Sequence, residues 1–126
     1  MQLLVTILKD YQTVEELMLR MVEFDIKGST VLEATGMGGV LGNIPLLSSV
    51  AGLFPEAQKA SHVVLTVTEA EKVNQLMAYA KQKLKIADHN GTGIMFTVEL
   101  GDVVGLTPSI ETSVSNLVNQ NEKLLV

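Results

Sequence analysis

Two glycine-containing bends carry the chemistry that this chain is equipped to do: Thr35-Gly36-Met37-Gly38-Gly39 and Gly91-Thr92-Gly93. Successive backbone N–H groups in such a bend can form a concave nest for anionic oxygens, and positions without a side chain let a ligand approach the backbone closely. The second bend opens the stretch GTGIMFTVELGDVVGL, residues 91–106, in which 94–98 reads as a buried strand. A Gly-x-Gly pair is also an ordinary turn, so the pattern alone leaves both readings open. Other constellations are weaker. His62 and His89 stand far apart with no second His or Cys at ligand spacing, which favours structural or solvated roles over a metal site. Asp88 and His89 precede the second glycine bend, so His89 either approaches a phosphate or sits in an exposed turn. Glu99 and Asp102 flank Gly101 without a nucleophile nearby, and no enzymatic activity is expected of them.

Composition narrows the field. The 126 residues suit one domain able to bury roughly two-thirds of its unfolded surface without a staple. Hydrophobic residues make up 47% of the chain against 18% charged, and mean hydropathy is +0.32, which points to apolar surface covered by other subunits. A net charge of −5, with Arg20 as the sole arginine, argues against nucleic acid as a partner. The absence of cysteine removes disulfides, thiol catalysis and thiolate metal sites together. The opening MQLLVTILKD lacks a basic segment before its apolar run and reads as a strand, so a cytoplasmic protein is expected.

The elements that must position the bends follow in order. Residues 3–8 read as a first strand. Thr13-Val14-Glu15-Glu16 fits a capping box ahead of Val14, Leu17, Met18, Met21 and Val22, predicting a helix that runs to about Phe24. Residues 25–28 turn the chain into a second strand at 29–34. The arrangement then repeats. Residues 63–67 form a strand, Thr68-Glu69-Ala70-Glu71 a second capping box, and Ala70, Val73, Met77, Ala80 and Leu84 a second apolar stripe. A fourth strand, 94–98, carries 103–106 as a short tail. Two strand–helix–strand units in succession predict an α+β, ferredoxin-like βαββαβ fold: a four-stranded antiparallel sheet with two helices on one face. Its other face stays uncovered, and a cyclic oligomer that buries it accounts for the composition.

Between the halves, residues 34–55 carry no charge at all, which raises the question of a membrane span. Five glycines and two prolines make a poor spanning helix, so a long loop is predicted instead. Within it Leu46, Leu47, Val50, Leu53 and Phe54 can line one side of a short helix, as a partner-docking patch or as a patch packed within the assembly.

Together the LLVTIL strand, the GSTVLEATGMGG strand end, the long loop, a second βαβ half and GTGIMFTVELGDVVGL resemble the PII and PII-like signalling proteins, nearest to those of firmicutes. The resemblance covers residues 1–107 as a domain and leaves 108–126 as a C-terminal helical extension. It implies a homotrimer with nucleotide sites between subunits and a T-loop, here about 35–61, that engages a partner. Carried over by position, Gly36, Met37 and Gly38 match the T-loop base, Gly91, Thr92 and Gly93 the phosphate-cradling B-loop, and Ile7, Thr30 and Val67 the lining of the adenine pocket. Ile94 stands where the family has a B-loop lysine. Gly39 and Val40 replace an arginine and a glutamine, and Gly105 and Thr107 replace two arginines.

Those cations neutralise a triphosphate, and each lost charge-assisted contact is worth about 1.5–3 kcal/mol. The resemblance so amended implies an effector with fewer phosphates, ADP or AMP before ATP, or a cyclic dinucleotide, with no tightly bound cofactor. Lys9, Lys59 and Lys85 are the candidate replacement cations. A membrane transporter is the expected class of partner, with recruitment to the membrane through it. A ligand-free structural trimer remains the alternative. After Leu106, Thr107-Pro108 reads as an N-cap with proline at the first helical position. Ile110, Val114, Leu117, Val118 and Leu124 follow at nearly helical spacing, predicting a helix over about 109–122.

Overall fold

The computed structural model describes residues 1–47, 60–84, 86 and 93–106. Strand β1, Gln2–Leu8, buries Leu4, Thr6 and Leu8 on one side, the period of two that a half-covered strand requires. Helix α1, Tyr11–Glu23, follows at once and buries Val14, Leu17 and Met21 on a single stripe. It ends in a hydrogen-bonded Schellman closure. Asp25 takes a left-handed φ of 60°, its N–H donates to the Val22 carbonyl at 3.0 Å, and the Ile26 N–H donates to the Met21 carbonyl at 2.7 Å. Ile26 is thereby pressed into the core beside Met21. Lys72 holds the turn from outside, donating to the Asp25 carbonyl oxygen at 3.0 Å.

Strand β2, Ser29–Thr35, leads into a short helix α2, Met37–Gly42, and a single 3-10 turn at Pro45–Leu47. Strand β3, Ala60–Thr68, is followed by α3, Ala70–Tyr79, a π-helical turn at Ala80–Leu84, and β4, Gly93–Glu99. The strands lie in the order β2-β3-β1-β4 and every neighbouring pair is antiparallel, as the ferredoxin-like expectation requires.

Register sorts the side chains. Leu4 pairs with Thr66 and Thr97, and Thr6 with Val64 and Met95, on the face that packs with α1 and α3. Leu3, Val5 and Ile7 pair with Val67, Leu65 and Val63 on one side and with Val98, Phe96 and Ile94 on the other, all on the opposite face. Leu32 extends that face across β2, opposite Val63. Ile94 at 55%, Leu32 at 48% and Val98 at 45% remain exposed there.

Several local expectations are corrected. Neither Thr13 nor Thr68 is an N-cap. Asp10 caps α1, its carboxylate accepting from the Gln12 N–H at 3.0 Å, because β1 hands over directly to the helix and Thr13 already lies in the first turn. Thr68 is the last residue of β3, paired with Gln2 and buried, so its backbone is committed to the sheet. Glu69 stands at the cap without a side-chain bond. On α3, Leu76 is buried and Ala70 exposed, which rotates the predicted stripe. The predicted 34–55 loop is not wholly irregular: it holds α2 and the Pro45–Leu47 turn. Leu46 is 91% exposed there, and Val50, Leu53 and Phe54 lie outside the described residues. Residues 100–106 extend no strand. After the Leu100 N–H bonds the Met1 carbonyl at 3.2 Å, the chain runs on to Leu106, which lines a small hollow together with Met1, Asp25, Gly28 and Val67.

Candidate functional site

One end of the sheet gathers the candidate residues. Here β1 and β2 finish while β3 and β4 begin, so Leu8 faces His62 on one side and Gly93 on the other, and Thr35 faces Ala60. Gly36 and Gly93 therefore both stand at this end. Gly36 follows the edge strand β2 and Gly93 begins the edge strand β4, and three inter-strand steps, roughly 14 Å in all, separate the two edges. A single phosphate group within one chain does not reach both.

The first bend is more ordered than an open nest. Gly36 is extended, with φ −79°, and occupies the N-cap of α2 without a side-chain bond. The Val40 N–H closes back on its carbonyl at 3.1 Å. Gly38 is buried, while Met37 is 77% exposed. In the second bend Gly91 and Thr92, like the preceding His89, lie outside the described residues. Gly93 has a packing reason for lacking a side chain: a Cβ there would come 2.8 Å from Leu8 Cδ2 and 3.0 Å from the Ile7 carbonyl oxygen.

Ile7, Thr30, Val67 and Ile94, the other sequence-predicted residues, all belong to the open face but not to one spot on it. Ile7 and Ile94 are cross-strand partners beside the glycine bends. Thr30 pairs with Leu65 near the middle of the sheet, and Val67 pairs with Leu3 towards the far end, where it lines a small hollow with Met1 and Gly28. Within one chain they do not build a common pocket.

Among the candidate cations, Lys9 is at this end. Its Nζ donates to Ser61 Oγ at 2.7 Å, part-buried, one residue beyond the Leu8–His62 pair. The ammonium has three donors, so this bond leaves capacity for an acceptor. Lys59 and Lys85 lie outside the described residues. Ser61 was not legible as a site residue, since its place depends on the β1–β3 register. His62 packs edge-on against the Tyr11 ring at 5.2 Å, and no group of His, Cys, Asp or Glu suited to a metal occurs among the described residues. Arg20 pairs with Glu23 and lies over the Tyr79 ring at 4.3 Å, away from both bends. Glu99 accepts from Gln2 Nε2 at 3.1 Å on the surface.

A cleft that the sequence did not disclose adjoins the second bend. It has a volume of about 420 Å³ and is walled by Met77, Lys81, Ile86, Gly93, Ile94 and Met95. The π-helical turn that ends α3 forms one of its sides, and π-turns leave no periodic mark in a sequence. Among the described residues no helix is long and apolar enough to cross a membrane.

No family model and no curated protein sequence matches the chain. Among solved structures it is similar to one from Thermus thermophilus, described as a PII-like signalling protein. The TM-score is 0.52, with 11% identity over 77% of this chain and 82% of that one. At that identity the likeness speaks for architecture, and the chain has a PII-like, ferredoxin-like fold.

Proposed function

We propose that this protein is a PII-like signalling subunit that assembles as a homotrimer, binds an adenine nucleotide between subunits and acts on a partner through the segment that joins β2 to β3, which at 36–59 is shorter at both ends than the expected 35–61 because Thr35, Ala60 and Ser61 belong to the sheet. The observation that carries the reading is that Gly36 and Gly93 stand at one end of the sheet on opposite edges, beside an open apolar face. A ring that buries this face sets the β2 edge of one subunit against the β4 edge of the next. The two bends then reach one ligand that neither chain holds alone. Backbone amides and Lys9 supply the polar contacts, with Ile7 and Ile94 as apolar walls. With so few cations the site favours ADP or AMP over ATP, and a cyclic dinucleotide is the other class it suits. The exposed Leu46 belongs to the surface offered to the partner, a membrane transporter in this reading.

A ligand-free trimer is the second reading, favoured by the replacement of expected cations by Gly39, Val40 and Ile94. Thermal unfolding in the presence of ATP, ADP, AMP or cyclic di-AMP, with the mass followed by light scattering, separates the two. A bound ligand at a hundred times its dissociation constant adds about 2.7 kcal/mol. A trimer stabilised by none of the four leaves the structural reading, and a monomeric mass overturns both.

A further inference from the structure

The helix side of the sheet carries a second uncovered surface. Helix α1 packs over β1 and β3, so the edge strand β2 is left without a helix above it. Between α1 and β2 lies an open groove of about 480 Å³, lined by Tyr11, Met18, Leu19, Val22 and Val31 and by a single charged residue, Glu15. Leu19 is 68% exposed, Val22 57% and Tyr11 56%. Apolar residues exposed singly call for no explanation, but these share one side of a helix and look onto one strand. Val31 pairs with the buried Val64, which places the groove on the covered side of the sheet, away from the open apolar face.

The charge of the groove is one-sided. Glu15 stands inside the apolar lining, one turn after Tyr11 and one turn before Leu19, and is exposed. Glu33, also exposed, follows Val31 on the same face of β2. Neither carboxylate makes an ion pair among the described residues, and no described cation lines the groove. Arg20, the nearest arginine along the helix, is engaged with Glu23 and the Tyr79 ring. A carboxylate set among exposed apolar side chains takes its counter-charge from whatever docks there. A second copy of the chain fits poorly, because a two-fold contact through the groove brings the same carboxylates together. An anionic bilayer or a nucleic acid meets the same repulsion.

We infer that the α1–β2 groove is a docking site for an amphipathic helix of another protein, apolar where it meets Leu19, Val22 and Val31 and carrying Lys or Arg opposite Glu15 and Glu33. Laid beside α1, this segment becomes a third helix on the covered side and roofs β2. The thirteen residues of α1 give the site a length of about 20 Å, close to four helical turns. The inference does not rest on nucleotide binding, and the surface is distinct from both the open face and the segment that joins β2 to β3.

The test uses the full chain and a synthetic peptide of about fifteen residues with Leu and Lys placed as in an amphipathic helix, beside a second peptide with Glu at every Lys position. In fluorescence anisotropy the wild-type chain is expected to bind the Lys peptide about tenfold or more tightly than the Glu peptide. Leu19→Asp is expected to weaken the Lys peptide by about tenfold. This substitution makes the chain more acidic, so attraction by net charge alone predicts the opposite change. Glu15→Lys combined with Glu33→Lys is expected to reverse the preference between the peptides. All three positions are exposed, and circular dichroism checks that each variant is folded. Hydrogen exchange in the wild-type chain locates the contact without any substitution, with slowing by the Lys peptide expected in α1 and β2 and none in β4. A Lys peptide that does not bind, a footprint on β4, undiminished affinity in Leu19→Asp, or a preference unmoved by the charge reversal overturns the inference.

Discussion

The two faces of the sheet invert the usual expectation of what is inside. The face under the helices contains Thr6, Thr66 and Thr68 among its buried residues, with Gln2, His62 and Glu99 towards its margins. On the opposite face, Leu3, Val5, Ile7, Val63, Leu65, Val67, Phe96 and Val98 form an almost unbroken apolar surface, broken by Thr30 at the β2 edge and Ser61 at one end. Contiguous exposed apolar area of this kind marks an interaction surface. Burial by a helix of the same chain tolerates a hydroxyl that finds a partner, as Ser29 and Thr66 do at 2.8 Å beside Met21. Closure around a symmetry axis asks instead for a surface that fits copies of itself.

Adjacent residues on β1 test the contrast most severely. Leu4 is fully buried under the helices, and Leu4→Ala is expected to cost about 2–5 kcal/mol of folding stability through the lost packing and the cavity left behind. Val5, on the other face, is expected to behave differently. Val5→Lys leaves the circular-dichroism spectrum intact but reduces the mass in light scattering to that of one chain. If Val5→Lys leaves the mass unchanged, the open face is not where the subunits meet and the contrast fails.

Gly93 sharpens the comparison at the point where the sheet meets the candidate site. It opposes Leu8 on the covered side, and the Ile7 carbonyl oxygen that a Cβ would approach is backbone and cannot rotate away. Gly93→Ala is therefore expected to destabilise the chain by about 1–3 kcal/mol in urea denaturation. Gly101, around which an added Cβ meets nothing within 4 Å, serves as the control, with Gly101→Ala expected to stay within about 0.5 kcal/mol. Equal effects at the two positions would return Gly93 to the status of an ordinary turn glycine.

Much of the fold was legible because its signals are local and repeated. The apolar run of 3–8 reappears as β1, and of the predicted stripe Val14, Leu17 and Met21 are buried on α1 while Val22 is exposed. Helix starts were misread because a Thr-x-x-Glu pattern records only the residues able to cap. Asp10 precedes Thr13 and takes the role first, and Thr68 is held by β3. The two glycine bends were legible along the chain, but their relative placement was not. Sequence order puts Gly36 and Gly93 far apart, and only the β2-β3-β1-β4 order brings them to one end and then divides them by the width of the sheet. Lys9 entered as one of three lysines, and its bond to Ser61 follows from strand register, which no spacing along the chain encodes.

The smallest effect bears on whether polarity on the covered face is needed or merely tolerated. Thr6 is fully buried between Val64 and Met95, and its Oγ1 has no hydrogen-bond partner. An unpaired buried hydroxyl costs about 1–3 kcal/mol, so Thr6→Val, which keeps the branched shape of the side chain, is expected to stabilise the chain by about 1 kcal/mol. Thr66→Val takes away a hydroxyl that does bond Ser29, and it is expected to lose about as much. Both are read from urea midpoints at one protein concentration, so that the proposed assembly contributes equally to each. Opposite signs at two threonines on the same buried face mean that the covered side accepts polarity only where it is paired. If Thr6→Val instead destabilises, that hydroxyl has a role in holding the strands, and the covered face is polar by requirement.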